Sequence, residues 1–144
     1  MTRRSSLALV VLSGVIVSAG AAAAAELRVT VRGVKSAEGD VKVALYATPK
    51  AFNERQRTFG ASSPATPGEV VVVFRDLPPG RYGLAVLNDL NSNGEMDNNL
   101  LGFPQEPFGF GNDAKINLAP PAFADMTVTV GNGVTETVVN LRNN

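Results

Sequence analysis

The sequence predicts an all-β fold, an antiparallel two-sheet β-sandwich of about seven strands with a short helix in the 48–68 connection. Three observations predict it. Apolar and polar residues alternate with period two in run after run, each run is short, and clusters of Gly, Pro, Asn and Asp separate the runs. The first 25 residues stand apart from this pattern. Arg3 and Arg4 precede an apolar run from Leu7 to Ala19, which ends in the small-residue tract Gly20 to Ala25. That is the layout of a secretory signal peptide, with cleavage expected after Ala25. The run is shorter than the roughly 20 apolar residues that span a bilayer, and Ser13, Gly14 and Ser18 interrupt it. Ser5 and Ser6 after the arginine pair favour the general export route over the twin-arginine route. A single domain over 26–144 is therefore expected in the periplasm or secreted, with no membrane span once the leader is removed.

Each element has its own signal. Leu27, Val29 and Val31 alternate with Arg28, Thr30 and Arg32, and after the turn Glu38-Gly39-Asp40 the residues Val41, Val43 and Leu45 alternate with Lys42, Ala44 and Tyr46, predicting a hairpin. Thr48-Pro49 reads as an N-cap with proline in the first helical turn, opening a helix through about Arg57. Phe59 to Gly68 has loop composition, and Phe52 and Phe59 are expected to pin this excursion onto the sandwich. Val70 to Phe74 reads as a strand buried on nearly both sides. Asp76-Leu77-Pro78-Pro79-Gly80 forces a turn, because proline fixes φ and cannot donate to a ladder. Tyr82, Leu84 and Val86 then mark a strand running into Asn88 and Asp89. Met126, Val128 and Val130 share one phase, Gly131-Asn132-Gly133 is a hairpin signal, and Val139 and Leu141 close the chain in phase with Thr135 and Thr137.

Composition excludes several functions. Without the leader the chain has 11 basic and 13 acidic residues, a net of −2, and the basic ones are scattered, so nucleic acid is not an expected partner. There is no cysteine, so stability comes from packing rather than disulfides. There is no histidine either, which removes His-assisted nucleophiles and imidazole zinc sites.

One stretch carries chemistry. Asp89, Asn91 and Asn93 place oxygen donors at alternating positions, Gly94 permits a tight turn, and Asp97 adds another donor. These match positions one, three, five, six and nine of a calcium-binding EF-hand loop, with the carbonyl of Glu95 at position seven. Position twelve should be a bidentate glutamate, but Leu100 stands there. Glu106, Asp113 or water would have to complete the sphere, for a weak affinity of about 10⁻⁴ to 10⁻³ M. The competing reading is that Asp89, Asn91 and Asn93 satisfy the loop's own backbone through Asx-turns, with Gly94 at positive φ.

Three segments in order resemble a known family: the turn Leu77-Pro78-Pro79-Gly80-Arg81-Tyr82, the loop Asp89 to Asp97, and Gly102-Phe103-Pro104-Gln105-Glu106 leading to Phe108-Gly109-Phe110. Together they resemble the bacterial domain-of-unknown-function family 2141 over nearly all of residues 26 to 142. The resemblance implies an exported small β-sandwich whose biochemical function is not established. The 77–82 turn is also similar to one in prealbumin-like and carboxypeptidase-regulatory-like sandwiches. Gly111 stands where the family often has a serine, so no role for that hydroxyl carries over.

Phe103, Phe108 and Phe110 beside Glu106, stiffened by Pro104 and Pro107, form either an aromatic platform for a carbohydrate or protein partner or a plug over one end of the core. The carboxylates Asp89, Asp97, Glu106 and Asp113 supply in principle a pair for glycoside hydrolysis. The polar loop argues against it, and prealbumin-like hydrolases depend on histidines this chain lacks. The expectation is a non-enzymatic module, calcium-stabilised if the aromatic segment is a recognition surface.

Overall fold

The computed structural model describes residues 25–142; the signal-peptide reading of the leader lies outside the described residues. Eight strands and one helix follow in order: β1 (Ala25–Val34), β2 (Asp40–Tyr46), α1 (Pro49–Asn53), β3 (Phe59–Pro64), β4 (Gly68–Leu77), β5 (Gly80–Asp89), β6 (Phe108–Phe110), β7 (Thr127–Val130) and β8 (Val134–Asn140). They form two sheets, β4-β1-β8 and β3-β2-β5-β6, with β7 also on β5. β6 and β7 share the edge of β5 away from β2, β6 along Ala85–Leu87 and β7 along Gly80–Gly83. Every pairing is antiparallel except β1 with β8, which is parallel. Among the described residues no helix is long and apolar enough to cross a membrane.

The period-two reading identifies the inward faces. Leu27, Val29 and Val31 of β1, Val41, Val43 and Leu45 of β2, Leu84 and Val86 of β5, and Val139 of β8 fill the space between the sheets. Each such side chain contributes about 1.5–3 kcal/mol on leaving water.

Which sheet each strand joins departs from expectation in two places. β1 and β2 lie in different sheets, as do β7 and β8, so neither predicted hairpin forms. Alternation says which face of a strand is apolar, and that face is satisfied equally by a hairpin or by a turn crossing to the opposite sheet. β3 is also a strand where a loop was expected: Phe59, Ala61 and Ser63 face inward and β3 pairs with β2. Pro64 is tolerated because β3 is an edge strand. β4 is buried on one face only, with Val72 at 0 % and Val71 at 48 % exposure, since only the inner face of its sheet is covered by the other sheet.

Helix α1 starts as predicted, with Thr48 Oγ1 accepting the Ala51 N–H at 3.1 Å and Pro49 in the first turn. It stops at Asn53, short of Arg57, as Arg55 takes a positive φ of 56°. Phe52 packs edge-on against Tyr46 and Phe110, and Phe59 against Tyr82. The Tyr82 hydroxyl donates to the Pro78 carbonyl at 2.6 Å, bracing the proline turn, and burial pushes its pKa up.

Candidate functional site

The inward phase of β5 runs Tyr82, Leu84, Val86 and then Asn88, while Asp89 lies on the other face; both Asn88 and Asp89 are fully buried. From Asp89 the chain leaves the sheet and returns only at β6. This excursion holds most of the residues that the sequence singles out.

The first part braces itself. Asp89 Oδ1 accepts the Asn93 N–H at 3.1 Å, Oδ2 accepts the Gly94 N–H at 2.7 Å, and the Lys42 ammonium lies 3.3 Å from Oδ2. Asn91 Oδ1 accepts the Asn93 N–H at 3.2 Å and Asn93 Oδ1 accepts the Glu95 N–H at 2.9 Å, two successive Asx-turns. These turns fix both amide orientations. The NH₂ groups then reach Asp97, Asn91 Nδ2 donating to Oδ2 at 2.6 Å and Asn93 Nδ2 to Oδ1 at 2.9 Å. Gly94 has a φ of 83°, the left-handed conformation that glycine adopts without strain. Ser92 Oγ ties the loop to Asp40 of β2 at 2.9 Å.

Glu106 closes the loop from downstream. Its buried carboxylate accepts the Leu90 N–H through Oε1 at 2.8 Å and the Asp97 N–H through Oε2 at 3.1 Å. Asp113 takes no part in it. It lies in the 3₁₀ turn after β6, where its carboxylate accepts the backbone and side-chain N–H groups of Asn140 at 2.8 and 2.7 Å and so fastens β8.

This donor set fits a calcium ion poorly. Lys42 already supplies positive charge at Asp89, both oxygens of Asp97 receive amide hydrogens, and Glu106 faces backbone N–H groups. Among the described residues, no three His, Cys, Asp or Glu side chains gather as a metal-binding group. Sequence reasoning missed Lys42, because its closeness to Asp89 comes from the β2–β5 register: Asp40 pairs with Asp89 and Lys42 with Leu87, so the two charges are diagonal neighbours.

The second part is a small finger. Asn98 bridges Pro104, Asn99 N–H donates to the Phe103 carbonyl at 2.9 Å, and Gly102 N–H to the Asn99 carbonyl at 2.9 Å. Asn99 Oδ1 accepts from both Leu101 and Phe103 N–H, at 2.9 and 3.0 Å. On this tightly bonded tip Leu100 and Leu101 are 106 % and 81 % exposed and Phe103 is 55 % exposed. The other two rings lie elsewhere. Phe108 is buried on β6, and half-buried Phe110 packs edge-on against it and against Phe52. Phe103 thus shares its surface with two leucines instead of two phenylalanines. The adjacent leucines amid Asn-Asn and Gly were the signal for this, in a stretch with no strand phase to bury them.

The fold and this end of it define a small all-β sandwich domain that carries a hydrogen-bonded polar loop and an apolar finger. The chain belongs to the family described as "Uncharacterized protein conserved in bacteria (DUF2141)", which matches residues 29–138. Comparison with curated proteins and with solved structures gives no match.

Proposed function

We propose that this protein is an exported, non-catalytic recognition module that docks its Leu100–Phe103 finger into an apolar groove of another periplasmic protein. The observation that carries the reading is the finger itself. Three large apolar side chains stand in solvent on a turn closed by backbone and Asn99 side-chain hydrogen bonds, and clustered apolar exposure of this kind marks interaction sites. Its rigidity lowers the ordering cost of binding. A protein is favoured over a carbohydrate as partner because only Phe103 of the three rings is exposed as a stacking face.

The leader motif supports export. The absence of His and Cys from the sequence, and the occupation of Asp89, Asp97 and Glu106 by hydrogen bonds, support a non-catalytic role. In this reading the 89–97 loop is the finger's mount. Calcium enters only as a weak ligand, at about 10⁻⁴ to 10⁻³ M or weaker, since it must compete with Lys42 for Asp89.

A photo-crosslinking residue at position 101, placed in the exported protein in cells, tests this. A discrete protein adduct is expected, and it should vanish when Leu100→Ser and Phe103→Ser are added, with the melting temperature unchanged. Labelling of lipid alone, or adducts indifferent to both serines, would refute the reading.

A further inference from the structure

A strand at a sheet edge leaves alternate N–H and C=O groups outside the ladder, and natural folds cover or blunt most of them. β8 is such an edge, paired only with β1. Two bonds fix which of its groups face β1: the Gly133 carbonyl accepts the Glu26 N–H at 2.8 Å, and the Leu141 N–H donates to the Arg32 carbonyl at 2.8 Å. The odd-numbered residues between them therefore bond β1, and Val134, Glu136, Val138, Asn140 and Arg142 turn their backbone groups outward.

One end of that outward row is filled. Arg142 exchanges both its bonds with Phe108, at 2.7 and 3.1 Å, and Asp113 takes the Asn140 N–H at 2.8 Å. The other end stops at the 131–133 turn. Between them the backbone groups of Val134, Glu136 and Val138 have no partner among the described residues. Val134 and Val138 are 56 % and 39 % exposed, and the Glu136 carboxylate stands between them. The cation nearest Glu136, Arg28, lies 3.9 Å away and is held by Glu26 at 2.6 Å. Edges elsewhere are blunted: β3 ends in Pro64, the Val71 carbonyl of β4 accepts the Ser63 hydroxyl at 3.3 Å, and the Thr127 carbonyl of β7 accepts the Asn112 amide at 2.9 Å.

We infer that the β8 edge from Val134 to Val138 is a docking site for an extended strand of another protein, laid antiparallel, with a basic residue opposite Glu136 and apolar residues opposite Val134 and Val138. Each outward position then exchanges both its backbone bonds with the added strand, and the opposite charges meet on one face. A second copy of this chain fits less well. Two-fold pairing of β8 with itself uses all three positions only in the register that sets Glu136 against its own copy, and like charges directly opposite destabilise. A shifted register brings in Asn140, whose N–H is taken, or the turn. The site is separate from the finger, none of whose residues lies on β8.

The test titrates the mature protein, followed by amide NMR, with the capped heptapeptide Thr-Val-Thr-Lys-Thr-Val-Thr. Saturable shifts and slowed exchange of the Glu136 and Val138 amides are expected at millimolar peptide. Glutamate in place of the central lysine should weaken binding about three- to tenfold, and Glu136→Lys should reverse that preference. N-methylation of the central lysine's backbone nitrogen keeps its charge and should abolish binding. Val138→Pro removes one outward N–H and no bond to β1, so it should fold and lose the peptide. The Leu100→Ser/Phe103→Ser variant should bind as wild type. The inference fails if neither peptide moves those amides, if the N-methylated peptide binds as tightly as its parent, or if Glu136→Lys leaves the preference unchanged. Concentration-dependent protection of the same two amides without peptide would place a second copy on this edge and also overturn it. Should Val138→Pro not fold, the N-methylation and charge-reversal results decide.

Discussion

Asn88 and Asp89 are consecutive, equally buried and polar, and they stand on opposite faces of one strand end. Asp89 meets two backbone N–H groups and a lysine. The side-chain amide of Asn88 meets no hydrogen-bonding group among the described residues. Burial is therefore a poor guide to role; the partner set is a better one. A buried carboxylate bonded by its own loop and by a lysine of the neighbouring strand is holding structure, whereas a buried amide with its bonds unspent adds no hydrogen bond to the fold.

The contrast can be broken from either side. Removing Asp89 should cost most. Asp89→Ala strands the Asn93 and Gly94 N–H groups and leaves Lys42 beside the site without its counter-charge. Lost charge-assisted bonds of this kind cost about 3 kcal/mol, discounted already for the one-third exposure of Lys42. Urea unfolding should show the midpoint falling at constant slope; a change under about 1 kcal/mol would mean that the loop does not depend on this carboxylate.

Gly39→Ala reaches the same place indirectly. Gly39 has a φ of 68°, and a Cβ there would overlap the carbonyl oxygen of Asp89. Left-handed backbone alone costs a non-glycine residue roughly 1–2 kcal/mol, so about 2 kcal/mol in total is expected, with increased hydrogen exchange at Asn93 and Gly94. Exchange confined to the 35–39 connection would show that the strain stops short of the loop. Smallest of all should be the stability effect of Asn88→Leu, near zero or favourable, because that side chain uses none of its hydrogen bonds.

Much of this was legible in the residues. Strand phases fixed the inward faces, since a period-two pattern with one buried side admits no other register. The Thr48 cap and the Asx-turns of Asn91 and Asn93 also follow from local chemistry that needs no tertiary context. Sheet membership was not legible, as the turns at Gly39 and Gly131–Gly133 serve a sheet crossing as well as a hairpin. Phe59 to Pro64 was hidden by serine and proline, which an edge strand accepts. The finger was hidden differently: Leu100 drew notice as a missing calcium ligand, while its exposure depended on the Asn99 bonds that lift the tip from the core. Asn88 was visible as the polar end of the Tyr82-Leu84-Val86 phase, but its lack of partners is a property of the tertiary packing around it.

The central claim is that the 89–97 loop is held by its own hydrogen bonds and by Lys42. The most direct test compares the melting temperature of the mature protein in excess EDTA and in millimolar calcium. With a Kd of about 10⁻⁴ to 10⁻³ M, 1 mM calcium adds about 0.4 to 1.4 kcal/mol, or roughly 2 to 6 °C. That small difference, with an intact folded baseline in EDTA, is the predicted result. A loss of about 10 °C or more in EDTA would contradict the account and make the ion, not the lysine, the partner of Asp89.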